Sequence, residues 1–191
     1  MSLPQVLKPQ DPVLFDLVIG EMQDILAAEL AWLNHAFGKS QKLVKTQDKK
    51  TYAYPGIFVH GDKHKYIDVL PTKEYGNFCF FIVSDQQEID FNKNRFNSLK
   101  AEISAVFWFD LSTVSTSTDR RIEAVKEEIL EVLTRKLFLK SGRFTFTQIV
   151  EDAKNIYKEY SIEEINTQFL MQPYCGLRFK GELLIREGAR C

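Results

Sequence analysis

The first regular pattern in the chain begins near Val13. Leu14, Leu17, Val18, Met22, Ile25, Ala28 and Trp32 recur close to helical spacing, with Glu21, Asp24 and Glu29 elsewhere. The pattern predicts a helix from Val13 to Phe37, with Asp11 as its N-cap ahead of Pro12 and Gly38 as its stop. From Gln41 the period changes. The lysine-rich "KLVKTQDKKTYAYP" predicts a ragged hairpin, and "GIFVH" and "KYIDVLP" predict two short strands around the turn "GDKHK". In "NFCFFIVS", Phe78, Phe80 and Ile82 alternate with Cys79, Phe81 and Val83, so the strand is apolar on both sides. Such a strand belongs inside a sheet covered on both faces, or covered partly by a partner.

The polar stretch Gln86 to Lys100 predicts a long excursion holding at most a turn of helix. "ISAVFWFDLS" places Ile103, Ala105, Phe107, Phe109 and Leu111 on one side of a strand, with Val106 and Trp108 opposite. A second helix follows, capped by Thr118 or Asp119 and running to about Leu139. Its buried stripe is Ile122, Val125, Ile129, Val132 and Leu133, while Arg120, Glu127, Glu128, Glu131 and Arg135 face water. "FTFTQIV" is a further strand, and Glu151 to Ile165 reads equally as a short helix or a loop. The last strand, "QFLMQPYCGLRFKGELLI", is interrupted by Pro-Tyr-Cys-Gly. A proline cannot donate to a ladder, so it implies a sheet edge or a bulge. Beyond the break Leu177, Phe179, Leu183 and Ile185 share one face, and Arg178, Lys180, Glu182 and Arg186 share the other. Together these elements predict one α+β domain over residues 13–191. It has a mostly antiparallel sheet, two amphipathic helices packed on one face, an extended arm at residues 1–12 and a hairpin arm at about 41–65.

Composition changes this picture little. At 191 residues, 45% hydrophobic and 27% charged, the chain is ordinary globular in character, and its 15 phenylalanines suit a thick aromatic core. A net charge of −1 gives no global pull toward nucleic acid or an anionic membrane. The local distribution is uneven. From Gln41 to Lys65 six lysines face two aspartates, a local +4, and from Glu151 to Glu164 five acids face two lysines, a local −3. These are two solvated faces, or a complementary pair joining neighbouring copies head to tail. Cys79, Cys175 and Cys191 are odd in number and lack a CxxC spacing, a reduced pattern and not a disulfide framework. No signal peptide and no membrane span are expected.

Candidate chemistry is sparse. "GKS" at Gly38–Ser40 lacks the earlier glycine of a phosphate loop and has the order of strand and helix reversed, so it reads as a helix C-terminus. His60, Asp62 and His64 alternate in "HGDKH" and would converge on zinc from a strand, but Gly61 favours an exposed polar hairpin tip. His35, placed on the helix near Trp32, suits packing or solvent. Cys175 reads as a small residue at a β-bulge unless a histidine approaches it. "FCFFIV" and "VFWF" lack the interleaved cations of a nucleic-acid stacking platform and suit core strands or oligomer contacts. This reading assigns no catalytic residue, no cofactor and no bound metal.

"YAYPGIFVHGD", "FWFDLS", "RRIEAVKEEILEVL" and "FLMQPYCGLRFKGELLI", in this order, carry a resemblance. From about Val13 to Ile185 the chain resembles the tail terminator, or tail completion, proteins of tailed bacteriophages and prophages. The polar stretch at Gln86 to Lys100 and the tail "REGARC" depart from that pattern. The resemblance implies a non-enzymatic virion protein forming a ring, commonly of six subunits, that caps the tail tube and joins it to the head connector. It implies tail-tube and head-connector partners, no sequence-specific nucleic acid and no membrane. Lys42, Lys45, Lys49 and Lys50 would then belong to a hairpin facing a neighbour or the tube, with Pro173, Tyr174 and Arg178 as further assembly residues. The rivals are a small cytosolic ligand- or metal-binding enzyme with a site near His60, Asp62, His64 and Cys175, and an adaptor or immunity-type protein binding one partner.

Overall fold

The two most apolar runs of the chain form the centre of the sheet. In the computed structural model, which describes residues 5–47, 49–59, 65–92, 95–114, 121–135, 139–161, 169 and 171–186, they lie on β5 (Phe78–Asn92) and β6 (Arg95–Asp110). These strands pair antiparallel, with Phe80 opposite Val106 and Phe81 opposite Ala105. β8 (Tyr174–Arg186) lies antiparallel along β6, from Asp110 opposite Tyr174 to Ser98 opposite Arg186. β7 (Gly142–Val150) flanks β8 as the terminal strand. On the other side, β5 runs parallel to the first half of β2 (His35–Gln47). β2 then pairs antiparallel with β3 (Lys50–Val59), and β3 with β4 (Lys65–Asp68). β1 (Gln5–Leu7) lies parallel to the start of β2, so the sheet has eight strands.

Both faces are covered, which is why the central strands are apolar on both sides. α1 (Phe15–Glu29) and α3 (Ile122–Arg135) place Val18, Met22, Leu26, Ile129 and Leu133 on one face, against Phe81, Phe107 and Phe179. A short α2 (Leu111–Val114) follows β6 directly. On the opposite face Phe37, Phe78, Phe80, Val106 and Trp108 pack beneath Ile156, Tyr157, Tyr160 and Phe169, the last turn of α4 (Ala153–Ile156) and the chain after it. The fold is therefore α+β, with a large, mostly antiparallel sheet and two main helices on one face.

Several boundaries differ from the sequence expectation. α1 ends at Glu29, and β2 begins at His35. Trp32, Leu33, Ala36 and Phe37 mimic a helical stripe, yet Ala36 packs into one core and Phe37 into the other, as successive strand residues do. Gly38–Ser40 consequently sits inside a strand and not at a helix C-terminus. Asp11 does not cap α1, whose N-cap is Leu14 at φ 50 with no side-chain cap hydrogen bond. Much of the polar stretch after Gln86 is no loop, because β5 and β6 continue through it as a projecting hairpin up to Asn92 opposite Arg95. Polar residues suit both faces of a ribbon that leaves the core. β8 starts at Tyr174, after the cis Gln172–Pro173 peptide, and is interior, with β6 on one side and β7 on the other. The edge expected there is occupied by β7. Cys175 pairs in regular register with Phe109, so the bulge expected there is absent.

Candidate functional site: the fork between two hairpin arms

β2 changes partners midway. Its last contact with β5 is Ser40 opposite Ile82, and from Gln41 it pairs with β3 alone. A two-residue register shift between Val83 and Gln87 bends β5 at the same level. The β2–β3 hairpin therefore parts from β5 here, while β5–β6 continues beside β8, and an open cleft of about 700 Å³ lies at the fork between the two hairpins. Its charged lining is balanced, with Lys39, Lys42 and Arg178 facing Asp85, Glu102 and Glu159.

Arg178 holds the cleft floor. Alternation groups it with Lys180 and Glu182 on one face of the last strand, yet it is 5% exposed. Its guanidinium donates to both Glu159 carboxylate oxygens, at 2.6 and 2.7 Å, and to the Ile156 carbonyl at 3.1 Å. Partial burial pushes the Glu159 carboxyl up, but the Arg178 hydrogen bonds and charge outweigh it and hold the group below its ordinary value. Beside it Ser40 Oγ donates to the Phe81 carbonyl and lies 3.3 Å from the Tyr160 hydroxyl. Burial raises the Tyr160 phenol, so it stays protonated and available as a donor. A buried Arg–Glu pair locked to a backbone carbonyl is a positioning device. It fixes the segment after α4 on the sheet and offers no nucleophile.

The lysines expected to act together do share one element. Lys42 and Lys45 lie on β2, Lys49 at its turn with φ 64, and Lys50 at the start of β3. Lys45 Nζ sits 5.6 Å from the centroid of the Tyr54 ring. Pro173 and Tyr174 are not part of this group. They lie at the start of β8, opposite Asp110, where Tyr174 packs edge-on to Phe169 at 4.9 Å. Arg178 joins Lys42 only through the cleft, so the structure splits the seven expected assembly residues between two ends of the sheet.

The other candidates resolve differently. His60, Asp62 and His64 lie outside the described residues. Among the described residues no group of three or more His, Cys, Asp or Glu is placed to hold a metal. His35 is on β2 and not on the helix, its Nδ1 donating to the Tyr75 carbonyl at 2.7 Å and its ring stacked on Phe37. Cys175 is half-buried, and burial with the nearby Asp110 charge raises its thiol above the ordinary value, the opposite of an activated nucleophile. Glu128, expected in water, accepts a hydrogen bond from Trp32 Nε1 at 3.0 Å.

Ile89 and Phe91, exposed on the β5–β6 arm, went unrecognised in the sequence. The signal was the alternation Ile89, Phe91 within "EIDFN", which marks a strand where polarity alone suggests a loop. Among the described residues no helix is long and apolar enough to cross a membrane. In comparison with known proteins, the chain matches no family model and no curated protein.

Proposed function

We propose that this chain is a non-enzymatic structural protein of a tailed phage or prophage. In this reading it is a tail-terminator-like subunit that self-associates into a ring, six-membered in the manner of the family it resembles, between tail tube and head connector. It would assemble in the host cytoplasm and reside in the virion tail. The observation that supports the reading is where apolar surface is left over. Val44 on one arm and Ile89 and Phe91 on the other are 61%, 55% and 63% exposed, although both cores are closed. Each arm keeps one side in the core, through Ile57 on β3 and Leu99 on β6, and bare apolar side chains elsewhere on it suit a neighbour that covers them. The balanced charges of the cleft and its locked Arg178–Glu159 pair supply anchoring and no reactive dyad. Lys42, Lys45, Lys49 and Lys50 would meet an adjacent subunit or the tube.

The test is light scattering across micromolar concentrations, with and without the tail-tube protein of the same genome. A ring is expected, and Phe91→Ser should weaken it while leaving the unfolding midpoint unchanged. A protein that stays monomeric under every condition overturns the proposal.

A further inference from the structure

We propose that the outer edge of β2 beyond Ser40 is a strand-pairing site for a second copy of this chain, and that the strand it takes is the neighbour's β7. This rests on the reading above, in that it supplies the contact by which the subunits join.

The direction of the backbone groups on β2 follows from its partner. In the β2–β3 ladder Lys42 faces Pro55, Val44 faces Ala53 and Thr46 faces Thr51. Pro55 has no N–H, and its carbonyl accepts the Val69 N–H at 2.9 Å, away from β2. Ala53 donates its N–H to Ser161 Oγ at 3.0 Å and accepts the Ser161 N–H at 2.8 Å, also away from β2. In an antiparallel ladder both members of such a pair turn their amide groups outward. Lys42, Val44 and Thr46 therefore aim their N–H and C=O groups at the side that β5 has already left. No strand pairs with that side of β2 beyond Ser40 among the described residues. The outer edge of β3, by contrast, is covered by Ser161 and β4.

The opposite end of the sheet has the complement. Among the described residues β7 pairs with β8 and no other strand. The Pro173 carbonyl accepts the Leu111 N–H at 2.9 Å, so the odd-numbered residues of β8 turn toward β6. Their partners Gly142, Phe144 and Phe146, opposite Ile185, Leu183 and Gly181, turn outward from β7. The Gly142 carbonyl follows this rule, accepting the Leu139 N–H on the outer side. Charge favours the pairing. The β2 arm carries Lys42, Lys45, Lys49 and Lys50, whereas β7, which carries Arg143, runs directly into Asp152 and into Glu151, the latter also accepting from Lys126 Nζ at 2.6 Å. A lysine-lined edge repels a copy of itself and favours a strand with an acidic end. Joining β2 of one copy to β7 of the next is head-to-tail, which closes into a ring or extends as a filament.

Val44→Pro removes one outward N–H and no hydrogen bond of the hairpin, a change of the kind Pro55 already makes across the ladder. Val44→Thr is the side-chain control. Sedimentation velocity should show wild type and Val44→Thr associating alike and Val44→Pro weakened about tenfold, the worth of one lost hydrogen bond with its partner left unmet. Hydrogen exchange of the wild-type protein, which needs no variant, should slow at the amides of Val44 and Thr46 and of Phe144 and Phe146 as association proceeds. Wild-type association by Val44→Pro, or unchanged exchange at those amides in the associated protein, overturns this interface and leaves the ring reading standing. A wild-type chain that never associates removes the ring reading itself.

Discussion

Replacing Arg178 by methionine removes the buried cation and keeps most of the volume of its stem. Three hydrogen bonds disappear, two to Glu159 and one to the Ile156 carbonyl. Breaking a buried pair by deleting one partner costs about 3–5 kcal/mol. The Glu159 side chain is 38% exposed, so water recovers part of the loss, and about 2–4 kcal/mol is expected. Urea unfolding followed by tryptophan fluorescence reads this, because Trp32 and Trp108 are both buried. Acid gives a second readout. Glu159 sits below its ordinary 4.5 in the folded chain, although its burial alone would raise it. A depressed carboxyl contributes stability that is fully present above pH 4.5 and is lost as pH falls through the folded value. The wild type should therefore lose stability below pH 4.5 more steeply than Arg178→Met. A variant within about 0.5 kcal/mol of wild type, with the same acid slope, would refute the anchoring role.

Asn77 donates to the Trp32 carbonyl and Thr113 Oγ1 and accepts the Asp110 N–H, so Asn77→Ala should cost about 2–3 kcal/mol in the same unfolding assay. Gly181 has no room for a Cβ, which would clash with the Thr145 carbonyl oxygen and stand 2.7 Å from Phe146 Cα. Because that wall is backbone, Gly181→Ala should destabilise by about 3 kcal/mol or more, and soluble expression at wild-type yield and melting temperature would contradict it. Complete burial raises the Cys79 thiol far above its ordinary value. A thiol reagent at neutral pH should leave Cys79 unmodified in the native protein and label it only on unfolding, as peptide mass spectrometry would show.

Much of the sheet was legible because its signals were local. The alternation in "NFCFFIVS" and "ISAVFWFDLS" marked strands apolar on both sides, and the Val125, Ile129, Val132, Leu133 stripe marked α3. The lysine hairpin was legible too, since "KLVKTQDKKTYAYP" has turn residues between two strand-forming runs. Arg178 was misplaced for a definite reason. Alternation put it with Lys180 and Glu182 on the polar face of β8, and only the return of Glu159 and Ile156 over that face buries it. The β5–β6 arm was missed because, among the described residues from Gln86 to Lys100, only Leu99 reaches the core, and one buried residue does not reveal a period.

The amino-acid order alone determined the class of fold, the central strands and the two main helices, because each depends on contacts between a segment and a generic apolar surface. The tertiary structure decided which strand lies at the edge, where β2 leaves β5, and which backbone groups remain unpaired. Those are relations between segments distant in sequence. Strand pairing is carried by N–H and C=O groups that almost every residue possesses, so side-chain pattern marks a strand without naming its neighbour.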